Sequence, residues 1–239
     1  MNKLKTIICA VFTLMLVNIT TTAQADSSNF AGPYFGVTAS GYGMQLAGSA
    51  ATSPTAGTNE VDEVSLGQAA AVVGIEVGYA VPIGSAFLID IGGSYYSGEA
   101  KMDFHHDDGA QTALAPALGD TDSLIGKDVS FKIDELVSYY IAPTVVLSDT
   151  SSLYVKVGLT EADIGVSGDV STPGDLSGTT WAIGTRTVLE SGIFIKTEAG
   201  YTDYNAISVH GIGTSIRVTN SYSADPTIAF GTVSLGFRF

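Results

Sequence analysis

The chain has 239 residues, 45% of them hydrophobic and 14% charged, against about 25% charged for an ordinary soluble domain. Intrinsic disorder is excluded, because it needs low hydrophobicity and high charge. With 10 Lys+Arg against 24 Asp+Glu and a net charge of −14, a nucleic-acid binder is excluded too, since no basic footprint exists to neutralise phosphates.

Residues 1–25 read as a secretory leader. Lys3 and Lys5 form its positive start, residues 7–17 its apolar centre, and Ala23-Gln24-Ala25 a small-x-small cleavage site, so the mature domain is expected over 26–239. A retained membrane helix would need about 20 apolar residues, and Asn18 and Thr20-Thr21-Thr22 break the run. The single cysteine, Cys9, lies in this leader, so no disulfide, thiol chemistry or cysteine metal site is expected in the mature domain. No later segment is long and apolar enough to cross a membrane as a helix, so a membrane form has to be a barrel.

Eight strands are predicted, at 33–45, 68–80, 86–96, 130–146, 152–163, 178–189, 192–205 and 227–239. Three connections are tight (81–85, 147–151, 190–191) and four are long, polar or small (46–67, 97–129, 164–177, 206–226). Long and short alternate, as in up-and-down outer-membrane barrels, whose turns are periplasmic and whose longer loops face outward. Both termini then fall on the periplasmic side.

Each strand alternates with period two, which puts each residue set on one face. Val73, Ile75, Val77 and Tyr79 oppose Gly74, Glu76, Gly78 and Ala80, and Phe87, Ile89 and Ile91 oppose Leu88, Asp90 and Gly92. Leu153, Val155, Val157 and Leu159 oppose Tyr154, Lys156, Gly158 and Thr160, and Trp181 and Ile183 oppose Ala182, Gly184 and Arg186. Ile193 and Ile195 oppose Phe194, Lys196 and Glu198, and Val233, Leu235, Phe237 and Phe239 oppose Thr232, Ser234, Gly236 and Arg238. A soluble β-protein also alternates, with its apolar face inward. Two features decide for lipid. The polar face is mostly Gly, Ala, Ser and Thr with isolated charges, which suits a narrow lumen better than a solvated surface. The apolar face carries aromatics at both ends, Phe35, Tyr79, Phe87, Phe237 and Phe239 near the turns and Tyr95, Phe131, Trp181 and Tyr201 near the loops, as two membrane interfaces favour. The expected fold is all-β, an eight-stranded antiparallel up-and-down transmembrane barrel behind a cleaved signal peptide.

Three segments carry a family resemblance: Phe30-Ala31-Gly32-Pro33-Tyr34-Phe35-Gly36, Glu198-Ala199-Gly200-Tyr201-Thr202-Asp203-Tyr204, and Gly231-Thr232-Val233-Ser234-Leu235-Gly236-Phe237-Arg238-Phe239. The chain resembles the eight-stranded outer-membrane β-barrel superfamily of the opacity-type proteins and the barrel half of the peptidoglycan-linked major proteins. The resemblance implies that the terminal aromatic, Phe239, is the signal read by the barrel-assembly machinery. No peptidoglycan-binding domain is expected after Phe239, so an envelope-anchoring role is not carried over, and the resemblance says little of function, because fold does not fix function.

The inward charges form the most informative set: Glu76, Asp90 and Glu198 against Lys156, Arg186, Lys196 and Arg238. Buried charges are costly unless paired, and eight strands leave room for side chains but hardly for a channel. A charge-paired, filled lumen is therefore expected, with a small charge-lined ion path as the alternative. His105-His106-Asp107-Asp108 reads as a polar loop tip, because adjacent residues rarely close a metal site. Ser208-Val209-His210 continues the inward parity of the seventh strand and lacks a third, orienting group for catalysis.

These readings converge on a non-enzymatic outer-membrane barrel of a Gram-negative cell, without cofactor, metal or nucleic acid, that displays acidic extracellular loops. Its role is expected to be structural or surface-interactive, with a small porin-like channel as the alternative and a lipid-modifying enzyme behind it. Expected partners are outer-membrane lipid, lipopolysaccharide and the assembly machinery. The loops name no partner of their own, and the chain is expected to be a monomer.

Overall fold

The computed structural model of the chain describes residues 26–50, 63–98, 100–105, 128–167, 174–189, 191–210 and 221–239. The leader 1–25 and the loop tips, with His106, Asp107 and Asp108, lie outside the described residues. A 3-10 turn, Ser27–Asn29, precedes the strands β1 (Gly32–Ala50), β2 (Glu63–Pro82), β3 (Phe87–Ser97), β4 (Ala100–His105), β5 (Asp128–Val146), β6 (Ser151–Ser167), β7 (Leu176–Val188), β8 (Ile193–Tyr204), β9 (Ile207–His210) and β10 (Ser221–Arg238).

All pairings among the described residues are antiparallel. β4 continues β3 along β5, and β9 continues β8 along β10, so the ten strands form eight staves. Pairing of β1 with β10, from Tyr34 opposite Arg238 up to Ala50 opposite Tyr222, closes the sheet. Closure pairs every stave on both sides towards the turn end, as a barrel in lipid requires, whereas at the loop end β4 and β9 each pair on one side only among the described residues.

The register fixes the width. Starting at Tyr34, successive partners are Gly78, Gly92, Tyr140, Gly158, Thr180, Thr202 and Ile228, and the circuit returns to β1 at Met44, ten residues above its start. Eight staves with that stagger tilt by about 40° and enclose a radius of about 8 Å at ordinary strand spacings. Inward side chains from opposite walls meet at that radius.

Exposure places the apolar face outside. Val73 is 64% and Ile75 44% exposed, whereas Glu76, between Ile75 and Val77, is 4% exposed. Phe35, Tyr79, Tyr95, Phe237 and Phe239 are exposed on this outer face, and Phe87, Trp181 and Tyr201 are less exposed. Phe87 and Tyr95 both lie on β3, eight residues apart, roughly 20 Å along the barrel axis at that tilt. That separation is close to the apolar band of a membrane barrel, about 25 Å tall.

The strands run further towards the loops than hydropathy suggests. β1 reaches Ala50, β2 starts at Glu63, β5 at Asp128 and β10 at Ser221, and β6 runs to Ser167. Backbone ladders need no apolar side chains, so Gly-, Ser- and Ala-rich stretches keep pairing beyond the lipid.

Among the described residues simple alternation fails at two places. Between Asp134 and Val137 the β5–β6 register shifts by one residue, and Glu135 takes a positive φ of 50°. Ile133 and Leu136 are both buried as a result. The bulge changes the phase of the strand: even-numbered residues face inward after it, and the odd-numbered Ile133 faces inward before it. The parity that assigns Phe131 to the outer face therefore ends at the bulge. Phe131 lies in β5 opposite Met102 and Val166, and its side chain is outside the described set. At Asn205-Ala206 the chain leaves β8 and re-enters as β9, and Tyr204 and Ile207 are both buried. Ser208 is consequently exposed, opposite Ser223, and does not continue the inward face as expected.

Candidate functional site: the filled lumen

The interior is layered, and the layers follow from which inward residue each stave supplies at each height. At the turn end Phe30 from the N-terminal segment packs in one cluster with Tyr34, Leu88, Val146, Val188 and Phe194. Tyr34 and Phe194 meet edge to face at 5.7 Å.

Above this apolar floor, three ion pairs bury both partners among the described residues. Arg186 Nη2 donates to Asp90 Oδ1 at 3.0 Å, and Lys196 Nζ donates to Glu76 Oε2 at 2.6 Å. Lys156 pairs with Glu198. None joins neighbouring staves: β7 reaches β3, β8 reaches β2, and β6 reaches past β7 to β8. Further donors support two of the carboxylates. Thr144 donates to Asp90 Oδ2 at 2.9 Å, and the Tyr154 hydroxyl donates to Glu198 Oε2 at 3.1 Å. Glu76 Oε1 has no hydrogen-bond partner among the described residues.

Tyrosine rings fill the space between these pairs. The Tyr34 and Tyr140 hydroxyls share a hydrogen bond of 3.0 Å. The Arg186 guanidinium lies over the Tyr34 ring at 4.6 Å, and the Lys156 ammonium over Tyr140 at 5.0 Å, within the range of a cation–π attraction. These rings fit because neighbouring staves present glycine at the same height. A Cβ on Gly92 would stand 2.8 Å from the Tyr140 ring, and Gly78 and Gly184 lie under Tyr34 and Tyr154.

Hydroxyls form the next layer. Ser138, Thr160, Thr180 and Thr202 link in sequence across four staves at 2.6, 2.5 and 2.7 Å, and Ser40 bonds Thr232 at 2.6 Å. Beside them lies a cavity of about 20 Å³, bordered by Lys156 and the four linked side chains. That is room for about one water molecule, not for a file of ions. A second apolar layer closes the loop end, with Tyr42, Met44, Leu136, Ile164, Leu176 and Ile228 among its buried members.

The structure thus brings together six of the seven inward charges named from the sequence. Arg238 stands apart. It is the last residue of β10, at the rim, and its Nη1 donates to the carbonyls of Ser28 at 3.2 Å and Ala31 at 3.1 Å. Alternation gives its direction but not its height, and at the rim the nearest acceptors are backbone carbonyls. Sequence reasoning puts Tyr154 and Thr160 on the inward face but misses the packing of the tyrosines between the ion pairs, the hydroxyl chain and the burial of Phe30. A signal for the tyrosines is present: Tyr154 and Gly184 occupy the same face of adjacent predicted strands. Among the described residues no group of three or more His, Cys, Asp or Glu side chains is arranged to hold a metal ion.

Comparison with known proteins places this geometry. The family profile for the outer membrane protein beta-barrel domain matches residues 11–237. No curated protein matches the chain. Among solved structures, the outer membrane protein OprG of Pseudomonas aeruginosa is similar at a TM-score of 0.51 and 10% identity, over 87% of this chain and 96% of that one. Ail, the attachment invasion locus protein of Yersinia pestis, gives 0.45 at 12% identity over 87% and 99%. The outer membrane protease OmpT of Escherichia coli gives 0.48 at 9% over 92% and 99%. At 10% identity the likeness to OprG concerns the fold alone.

Proposed function

The chain belongs to the outer membrane protein beta-barrel family, and on that premise we propose that it is a non-enzymatic, non-conducting barrel with a structural or surface-interaction role. The observation that carries this reading is the lumen: three buried ion pairs and their tyrosines lie between two apolar layers. An ion crossing it would have to part those pairs and enter both layers unhydrated, which is prohibitive for a bare charge.

The end that carries the three tight turns and both strand termini is periplasmic in this reading, and the loop end is extracellular. Asp62, Glu63, Asp107, Asp108, Asp120, Asp122, Asp169 and Asp175 make the loop side acidic by sequence. Such a surface attracts cations and repels anionic partners. Outer-membrane lipid and lipopolysaccharide surround the monomer. The assembly machinery reads Phe239 during insertion.

Planar-bilayer recording of the refolded 26–239 chain tests the reading. The current is expected to stay at baseline after insertion is verified by heat-modifiable mobility. Long-lived ohmic steps would overturn the filled lumen and promote a small porin-like channel in its place.

A further inference from the structure

We propose that residues 26–31 are a stopper that docks into the turn end only after β10 has closed onto β1, with Arg238 as its lock. This inference rests on the family fold and not on the non-conducting reading.

The segment is built to fold back. Gly32 has a φ of +110°, in the left-handed region that favours glycine, and a Cβ there would stand 3.0 Å from the Phe239 carbonyl oxygen. From that hinge the chain turns under the barrel, where Phe30 is 0% exposed. Two earlier hairpins supply latches. Ser27 donates from its N–H to the Ser85 carbonyl at 2.8 Å and from its hydroxyl to the Gly84 carbonyl at 2.6 Å. Asn29 donates to the Asp149 carbonyl at 3.3 Å.

Those latches exist before closure, but the seat does not. The walls around Phe30 come from Tyr34 on the first stave and Phe194 on the seventh, which touch only in a closed barrel. The lock comes later still in the chain. Arg238 pairs in register with Tyr34, at the seam where β10 meets β1, and from there reaches the Ser28 and Ala31 carbonyls. Hydrogen bonds from a charged donor are stronger than neutral ones. The seated ring also covers the charge layer: the Arg186 guanidinium lies 5.4 Å from the Phe194 ring, and Phe194 packs in one cluster with Phe30. Unseating the stopper would let water reach the Arg186–Asp90 pair from the turn end.

A single introduced cysteine reports the seat. Residues 26–239 contain none, so Val188→Cys, in the wall around Phe30, supplies the only thiol of that chain. In the refolded barrel this thiol is expected to react slowly with a small maleimide. Arg238→Gln and Phe30→Ser in that background are expected to speed the reaction roughly tenfold or more, with heat-modifiable mobility unchanged. Phe30→Ser alters no strand residue, so it carries the test if Arg238→Gln fails to close. During refolding, pulse labelling should find the compact electrophoretic form before the introduced thiol becomes protected. Protection that precedes closure, or that survives Phe30→Ser, would overturn the proposal.

Discussion

Arg186 on β7 reaches Asp90 on β3 across the interior of the barrel, 3.0 Å from nitrogen to oxygen, and both side chains are almost wholly buried. Inward parity alone leaves Asp90, Glu76 and Glu198 as equal partners for this arginine. Geometry selects Asp90, which Thr144 also supports. Removing one partner of a buried pair typically costs about 3–5 kcal/mol, because the other is left uncompensated. Arg186→Ala should therefore lower stability by about that amount. In that background Asp90→Asn should recover part of the loss, and Glu76→Gln or Glu198→Gln should recover none. Urea unfolding in lipid vesicles, followed by the fluorescence of Trp181, the only tryptophan, measures all four variants. Equal recovery by the three acidic substitutions would dissolve the specific pairing.

Ile75 tests the orientation of the wall. It is 44% exposed on the outer face, between Val73 and Val77 and well away from either end of β2. A basic residue on the lipid face near the midplane costs about 2–4 kcal/mol. Ile75→Arg should show that loss in vesicle unfolding. Asp149→Arg, in the exposed turn between β5 and β6, lies outside the lipid and should change stability little. No difference between the two would mean that Ile75 does not meet hydrocarbon.

Much of this architecture was legible because a barrel wall has two different solvents. Lipid on one side and a narrow lumen on the other force period-two alternation, and Val73 through Ala80 carry it without interruption. The reading fails where the backbone changes phase. Glu135 sits in a bulge that inserts an extra residue, and no side chain there signals it, so the parity that places Phe131 does not reach that residue. Asn205-Ala206 does the same for Ser208. Charge direction was readable and charge partnership was not, because partnership depends on the stagger of staves far apart in sequence. Phe30 was invisible as a stopper for another reason: it lies outside every strand, where periodicity says nothing.

Phe239 follows the last strand on the outer face, 74% exposed, with its ring 5.3 Å from that of Phe237. Its N–H donates to the Pro33 carbonyl at 3.0 Å, so its backbone helps to complete the seam. If the terminal ring is the assembly signal, deletion of Phe239 should lower the amount of heat-modifiable barrel in the outer membrane at matched expression. Phe239→Ala, which keeps the seam hydrogen bond, should lower it too. Full folded yield from the alanine variant would remove the signalling role and leave the backbone one.

Gly78 shows how tightly the interior is filled. It stands opposite Tyr34 on β1 and Gly92 on β3, and the Tyr34 ring lies across it. A Cβ at this position would also come within 2.9 Å of the Ile91 carbonyl oxygen on the adjacent stave. The ring cannot yield cheaply, because its hydroxyl is bonded to Tyr140, its face carries the Arg186 guanidinium and it meets Phe194 edge to face. One added methyl thus strains a contact shared by several staves. Overpacking of this kind typically costs about 1–3 kcal/mol, and Gly78→Ala should lower the unfolding free energy within that range. Gly41→Ala is the control: it lies on the outer face, also within a strand, and a Cβ there meets nothing within 4 Å. It should leave stability unchanged or slightly raised, since alanine restricts the unfolded chain more than glycine does. Equal losses at the two positions would show that the cost reflects loss of glycine from a strand and not the filling of the lumen.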